Sequence, residues 1–396
     1  MLKATQQRTR AHNTQLVMRT IHSSGPISRA DVARETDLTP PTISEVVHDL
    51  METGLVEEIG LAPSSGGRRA ILLRLVDDAR QLIGIDLSRR DFRGALANLR
   101  GQISHRIELP LGERDGEAAL ALVYELIDAL IPAATKPLLG IGIGAPGLVD
   151  SSNGILRQSV NLNWRYIPFR SLLEDRYSLP VYMANDCQVA ALAAYTFHDH
   201  RESPMPLVVI NVGWGVGAGI VLRGELMHGD PVGAGEIGHV VVEEDGPLCA
   251  CGNHGCLETV ASTRAILARA QAILEANPES SLRHFAEDSR ELTLEGISAG
   301  FQAGNEDIRT VVRNAGRALG IAASNLIGVL GSCRIMIGGS GDLLGQFLLD
   351  AMQEELAKRV LPALARATEL GIVETGSDMV ILGASAMVLQ HELGVL

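Results

Sequence analysis

Residues 235–258 read GEIGHVVVEEDGPLCACGNHGCLE, and this stretch is the most informative part of the sequence for the fold. It contains a Cys-x-Cys-x₄-Cys run preceded by a histidine. Zn²⁺ prefers four tetrahedral nitrogen and sulfur ligands, and a structural site leaves no position open. The glycines in the run let the chain turn tightly around an ion. We therefore predict one structural zinc ion per chain, held by His239, Cys249, Cys251 and Cys256.

Two alternatives to this zinc site stay open at the level of the sequence. His254 lies inside the cysteine loop, where it is either a competing ligand or a side chain that points to solvent. The cysteines could also be three free thiols beside a chance histidine. The chain has five cysteines, an odd number, and three of them fall within eight residues. In a reducing compartment such a cluster favours metal over disulfides.

The chain beyond about residue 80 alternates predicted strands and helices, which is typical of an α/β sheet. These strands end in glycine or polar turns, and the ligand of such a sheet lies at the carboxyl ends. The predicted strands are 81–86, 138–143, 181–184, 207–212, 334–337 and 379–382. The glycine-rich residues 215–219 either cradle a phosphate on their amides or form an ordinary turn. Helical segments 308–330 and 343–360 either support dimerisation or cover the sheet.

Residues 1–76 predict a winged helix-turn-helix that binds DNA. Ser28 and Thr39 are suitable N-caps for two short helices, and the second helix buries one stripe. In this motif the second helix enters the major groove, and paired cations in the wing suit the backbone or minor groove. The candidate DNA contacts are Thr39, Pro41, Thr42, Ser44, Arg68 and Arg69. The alternative is a small helical cap with no role in DNA binding.

The composition is that of a soluble globular protein of 396 residues, with 46% hydrophobic and 20% charged residues. The first 80 residues balance ten basic with ten acidic side chains, so the net charge of −13 lies on the remainder. A neutral head on an acidic body can still bind DNA through a few well-placed cations. We find no membrane-length apolar stretch and no secretory signal, and we expect the chain in the cytoplasm.

Three motifs together resemble the ROK family (repressors, open reading frames and kinases). They are residues 236–239, the Cys-x-Cys-Gly-x-x-Gly-Cys-x-Glu run and the pair Asn185-Asp186. The resemblance covers essentially the whole chain, because regulators of this family also carry an N-terminal winged helix-turn-helix. It implies an α/β fold in which the head, 1–76, precedes a two-lobed actin-like body of the ribonuclease H and sugar-kinase type, 80–396. The zinc loop would lie at about 236–258 in that body.

The resemblance also implies a monosaccharide in the cleft of the body. The positions that match the family's sugar ligands are Asn185, Asp186, Glu236, His239 and Glu258. Carboxylates and amides can hold several hydroxyls in fixed geometry. His239 would bind the sugar through one ring nitrogen and the metal through the other. In the family's kinases, the aspartate at the position of Asp186 is the general base.

The sequence departs from those kinases at the first phosphate loop. Their Asp-x-Gly-Gly-Thr is here Asp86-Leu87-Ser88-Arg89-Arg90. Phosphoryl transfer needs both substrates positioned, so losing this cradle should be severe. We therefore expect no kinase activity, with Asp186 kept as a vestigial base that binds sugar. The alternative is an ATP-dependent sugar kinase, hexokinase- or glucokinase-like, with a fused DNA-binding head.

The expected partners follow from this interpretation. They are operator DNA, a monosaccharide effector and a second copy of the chain, in a homodimer or homotetramer. A protein partner such as a sugar-transport component is compatible with the same interpretation. No membrane association is expected. The sequence does not identify the sugar, or whether it releases or strengthens DNA binding.

Overall fold

The chain divides into two compact units, and a computed structural model describes each of them. The first unit contains Met1–Ala184 and Ile381–Leu396, and the second contains Asn185–Val380. The structure describes residues 6–62, 69–88, 90–197, 205–229, 232–277, 279–286, 291–373 and 378–395.

The N-terminal part of the first unit is a three-helix, three-stranded head. Its elements are α1 (Gln6–Ser24), β1 (Ile27–Ser28), α2 (Arg29–Thr36), α3 (Pro40–Glu52), β2 (Val56–Leu61) and β3 (Ile71–Leu75). The strands pair in the order β1-β3-β2. The Ser28 hydroxyl accepts the Asp31 amide proton at 3.2 Å, and the Thr39 hydroxyl accepts that of Thr42 at 3.5 Å. Both predicted N-caps are present, because each hydroxyl satisfies a helix donor that has no partner within the helix.

The rest of the first unit is built on a five-stranded sheet. Its elements are β4 (Gln81–Leu87), β5 (Asp91–Ala97), β6 (Ile103–Pro110), α4 (Gly116–Leu130), β7 (Leu138–Ala145), β8 (Leu148–Asp150), β9 (Ile155–Ser159), β10 (Trp164–Ile167), α5 (Phe169–Tyr177), β11 (Val181–Asn185) and α13 (Met379–Leu393). The sheet order is β11-β7-β4-β5-β6, while β8, β9 and β10 form a small separate sheet. Strand β4 runs antiparallel to β5 and parallel to β7.

The second unit repeats this arrangement. Its elements are α6 (Asp186–Phe197), β12 (Leu207–Val212), β13 (Val216–Leu222), β14 (Glu225–Leu226), α7 (Glu258–Ala261), α8 (Thr263–Ala276), α9 (Leu294–Gln302), α10 (Glu306–Leu330), β15 (Arg334–Gly338), α11 (Gly345–Arg359), α12 (Pro362–Ala367) and β16 (Glu369–Ile372). The sheet order is β14-β13-β12-β15-β16. With strands renumbered within each sheet, both sheets have the order 3-2-1-4-5. This duplication confirms the α/β, actin-like fold class.

The long helices of the second unit pack on each other. Gly316 and Gly320 of α10 face α11 so closely that a Cβ would lie 2.6 Å from Ala351 and 2.8 Å from Glu355. Both helices contribute side chains to the buried core beside β12 and β15. Of the two roles that the sequence left open for these helices, the structure therefore supports the one in the core.

One predicted strand is wrong. Residues 379–382 are the first turn of α13, a helix of 15 residues. A short apolar run followed by glycine fits a strand and a buried helix equally well. Packing against the sheet favours the helix here, since a Cβ at Gly142 of β7 would lie 1.9 Å from the Ala384 carbonyl oxygen of α13. The glycine lets the helix backbone approach the sheet directly.

No helix in the described part of the chain has both the length and the apolar character that spanning a bilayer requires.

Candidate functional site

Four side chains of the second unit form a cluster with the geometry of a metal site. The ligand atoms of His239, Cys249, Cys251 and Cys256 all lie within 4.8 Å of one another. Cys249 Sγ lies 3.6 Å from His239 Nδ1, and Cys251 Sγ lies 3.6 Å from Cys256 Sγ. Ligand atoms about 2.0–2.3 Å from a tetrahedral zinc ion would lie roughly 3.5–3.8 Å apart. The four residues therefore fit a zinc ion.

A tight loop holds the cysteines in place. The Cys249 amide donates to the Asn253 carbonyl at 2.8 Å, and the Gly252 amide donates to the Cys249 carbonyl at 2.9 Å. Gly255 has φ +64°, and a Cβ there would lie 1.5 Å from the Glu243 carbonyl oxygen. Only glycine can occupy that position without moving the loop. The glycines of the motif thus serve the geometry of the cysteines.

The neighbours of the cluster distinguish the two histidines. His239 turns Nδ1 toward Cys249, while its Nε2 lies 3.8 Å from a carboxylate oxygen of Glu236. His254 lies outside the four-residue group, and its Nδ1 is 3.2 Å from the Gly246 carbonyl oxygen. The Asn253 backbone amide lowers the pKa of the Cys251 thiol to about 7, which favours the thiolate that binds metal.

The polar residues assigned to sugar binding lie in the second unit and are electrostatically linked. The Asn185 and Asp186 side chains both accept the Cys187 amide proton, at 2.9 and 2.8 Å. Burial raises the pKa of the Asp186 carboxyl to about 6, with a further rise from the charge of Glu236. Burial also raises the pKa of Glu236, which His239 lowers and Glu258 raises. These carboxylates and the imidazole are close enough to act on one another.

Glu258 begins α7 and is fixed to the glycine-rich turn. Its Oε2 accepts the Val216 amide proton at 3.3 Å, and its Oε1 lies 3.6 Å from the Arg264 guanidinium. Arg264 did not figure in the sequence prediction, because its spacing from Glu258 follows no known motif. The turn at 213–216 thus contacts a proposed sugar ligand.

The buried charge of Asp186 predicts a stability that depends on pH. Since the carboxyl pKa rises from its ordinary 3.8 to about 6, the folded chain holds this proton more tightly than the unfolded chain. Wild-type stability then falls as the pH rises from about 4 through 6. Asp186→Asn, which has no charge to desolvate, should have a Tm about 6–12 °C above wild type at pH 7.5 and equal to it at pH 4.

Thermal melts of both proteins from pH 4 to 8 measure this difference. Asp150→Asn is a control of opposite sign, because Arg157 lowers the pKa of the Asp150 carboxyl. That variant should lose stability at neutral pH. An Asp186→Asn curve parallel to wild type at every pH would contradict the prediction.

The first turn of α3 in the head presents the predicted DNA contacts. Thr39, Pro41 and Ser44 are exposed, and Thr42 is half-buried. The Thr39 and Thr42 hydroxyls lie 2.9 Å apart, and the Ser44 hydroxyl donates to the Pro40 carbonyl at 2.9 Å. Arg69 is exposed beside β3, whereas Arg68 lies outside the described residues, as do residues 63–67 of the predicted wing tip.

The acidic residues on the outer face of α3 have a partner that the sequence did not predict. Arg10 of α1 lies 2.6 Å from Asp49 and 3.8 Å from Glu45. The pair with Asp49 joins residues 39 apart in the chain. No local sequence pattern predicts a contact between residues so far apart in the chain. The cation reduces the negative charge on this face of α3.

The run that replaces the kinase phosphate loop begins with a buried ion pair. The Asp86 carboxylate is buried and binds the guanidinium of Arg93, which lies opposite it on β5. The Ser88 hydroxyl donates to the Asp91 carbonyl at 2.6 Å. Arg89 lies outside the described residues, and Arg90 is exposed. Asp86 and Ser88 are thus both engaged by β5 or the turn that leads into it.

The duplicated sheets and the polar cluster define an actin-like protein of the sugar-kinase type. The model of the ROK family matches residues 82–391, and the chain belongs to that family. It is 31% identical to the xylose repressor of Caldicellulosiruptor bescii over 386 residues, which cover 96% of each chain. It is also 32% identical to the glucokinase of Halalkalibacterium halodurans over 318 residues, 79% of this chain and 96% of that one.

A solved structure matches the whole length. A ROK family transcriptional regulator, described as a homologue of the Escherichia coli Mlc protein, aligns with a TM-score of 0.87 and 29% identity. The alignment covers 98% of both chains, so it includes the head as well as the body.

Proposed function

We propose that this chain is a transcriptional repressor of carbohydrate-metabolism genes whose DNA binding responds to a monosaccharide. The single observation that carries the proposal is the full-length match to a xylose repressor, 96% of each chain. The proposal is also supported by the three helices and three strands of the head and by the linked carboxylates of the second unit. A glucokinase matches only 79% of this chain.

The head, residues 1–76, would bind operator DNA with α3 in the major groove. Thr39, Pro41, Thr42 and Ser44 lie on or beside its first turn, the part of a recognition helix that reaches base edges. Arg69, with Arg68, would bind the backbone or minor groove from the wing. The Arg10–Asp49 ion pair supports this assignment, since it lowers the negative charge on the face that would meet phosphate.

The body, residues 80–396, would bind the sugar through Asn185, Asp186, Glu236, His239 and Glu258. One structural zinc ion would be held by His239 Nδ1 and the three thiolates of Cys249, Cys251 and Cys256. That leaves His239 Nε2, on the side of Glu236, available to a sugar hydroxyl. The metal would then orient a ligand of the sugar, so zinc loss should also weaken sugar binding.

Sugar and DNA would act on each other through a dimer or tetramer. A two-fold operator is read by two heads, and a change in their spacing changes affinity. By thermodynamic linkage, DNA must change the affinity for sugar by the same factor. Light scattering of the purified chain tests the assembly: two or four chains support it, and a monomer that still binds operator tightly would contradict it.

Phosphoryl transfer is the competing function, and we propose that it is lost. The run Asp86-Leu87-Ser88-Arg89-Arg90 offers no paired glycines for close backbone approach to phosphate. Asp86 is already bound by Arg93. Asp186 would then serve as a sugar ligand only, at the position of a vestigial base.

Calorimetry with and without ATP, together with an ADP-release assay on the same samples, tests this proposal. The panel contains glucose, xylose, N-acetylglucosamine and N-acetylmannosamine. We expect saturable binding of one sugar and no ADP above the rate without sugar. ADP release that disappears in Asp186→Ala would instead make the chain a sugar kinase with a DNA-binding head.

A further inference from the structure

The turn between β12 and β13 carries an exposed tryptophan. Trp214 is 51% exposed and stands between Gly213 and Gly215. The only other tryptophan of the chain, Trp164, is 2% exposed in the core of the first unit. A large aromatic side chain left half in water is a frequent feature of binding sites, because its apolar faces gain free energy when a ligand covers them.

The backbone that carries Trp214 is held firmly. The Gly213 carbonyl accepts two hydrogen bonds from Thr263, one from its amide at 2.9 Å and one from its hydroxyl at 2.8 Å. The Gly213 amide donates to the Gly215 carbonyl at 2.9 Å. The turn is therefore fixed to the start of α8, so the backbone that carries the indole is preset. A fixed backbone loses little conformational freedom when the side chain on it binds a ligand.

The same turn touches a carboxylate assigned to the sugar. The Val216 amide donates to Glu258 Oε2 at 3.3 Å. A Cβ at Gly215 would lie only 2.6 Å from that oxygen. Trp214 is thus the immediate chain neighbour of the residue against which Glu258 rests. Trp214 and Glu258 thus belong to two adjoining segments of the second unit that this hydrogen bond joins.

We propose that Trp214 is the stacking platform of the effector site and covers the apolar C–H face of the sugar ring. This inference rests on the proposed sugar-binding function. A pyranose has a rim of hydroxyls and two faces that carry C–H groups. The carboxylates and amide of the site satisfy hydroxyls, but an apolar face needs an apolar partner, and an aromatic ring supplies one. Trp214 would then favour rings whose hydroxyls are equatorial and leave a flat C–H face.

The test uses calorimetry and fluorescence on the full chain with the four sugars named above. In Trp164→Phe, Trp214 is the sole tryptophan, and we expect its emission to change with the same midpoint as the heat of binding. Trp214→Ala should weaken sugar binding about tenfold, and Trp214→Phe should restore most of it. Tyr166→Ala is the control, since Tyr166 is 72% exposed in the first unit and should not affect binding.

The possible results distinguish the stacking role of Trp214 from the sugar-binding function of the chain. Binding heat with unchanged emission, or equal affinity in Trp214→Ala, overturns the stacking role and leaves the sugar-binding function intact. No heat from any sugar in the wild type overturns both. A change of emission with ATP alone overturns the assignment to sugar and indicates a nucleotide. If Trp164→Phe does not fold, calorimetry of Trp214→Ala and Trp214→Phe still tests whether Trp214 contributes to sugar affinity.

Discussion

A Cys256→Ser variant is expected to contain no zinc and to melt about 10 °C below wild type. Cys256 is fully buried, and its Sγ lies 3.6 Å from that of Cys251. A serine hydroxyl does not replace a thiolate ligand. A metal at about a thousand times its dissociation constant stabilises a fold by about 4 kcal/mol, and each kcal/mol moves the Tm of a domain of this size by about 2–4 °C.

The same variant should also lose sugar affinity by about tenfold or more. His239 would be a ligand of both zinc and sugar, and losing the metal releases its ring orientation. Elemental analysis, thermal melts and calorimetry on one preparation measure all three effects. His254→Ala is the matched control, because His254 lies in the same loop but outside the four-residue group. A Cys256→Ser protein that keeps one tightly bound zinc would contradict the ligand set.

The second large effect is expected in the head, where Ser44→Glu should weaken operator binding more than about 100-fold. Ser44 is exposed near the N-terminus of α3, one turn after Pro40, so the fold can accept the longer side chain. A carboxylate placed against DNA phosphate costs several kcal/mol by like-charge repulsion. Sugar binding by the body should remain within about twofold of wild type, by calorimetry.

Ser171→Glu is the control for that experiment. Ser171 is also exposed in the first turn of a helix, α5, and its hydroxyl donates to the Pro168 carbonyl at 3.3 Å, as Ser44 does to Pro40. The Ser171→Glu substitution adds the same negative charge as Ser44→Glu, but outside the head. Fluorescence anisotropy on labelled operator compares the two variants. Equal affinity of Ser44→Glu and Ser171→Glu would place the DNA contact elsewhere.

Local chemistry explains which parts of this fold could be predicted from the sequence. The helix caps at Ser28 and Thr39 depend on residues three positions away, so the sequence shows them directly. The cluster of His239, Cys249, Cys251 and Cys256 could be predicted because few roles other than metal binding combine three closely spaced cysteines with a histidine. The strand order of the two sheets could not be derived from local pattern, and the family resemblance implied only the two-lobed actin-like fold class.

Other features depend on contacts between distant parts of the chain. Residues 379–382 were predicted as a strand because an apolar run looks alike in both structures, and only packing against Gly142 shows a helix. The ion pairs Arg10–Asp49 and Asp86–Arg93 could not be predicted from the sequence, because only the folded chain brings their members together. The exposure of Trp214 has the same origin. Each of these follows from tertiary structure rather than from spacing.

Selection from a random double-stranded DNA library measures whether one chain couples DNA recognition to a sugar. DNA is retained on the purified chain, first without sugar and then with each sugar of the panel in turn. We expect enrichment of a two-fold symmetric sequence whose retention changes about tenfold or more with one sugar. An enriched sequence that no sugar affects, or no enrichment with a protein that binds sugar, would contradict the coupling.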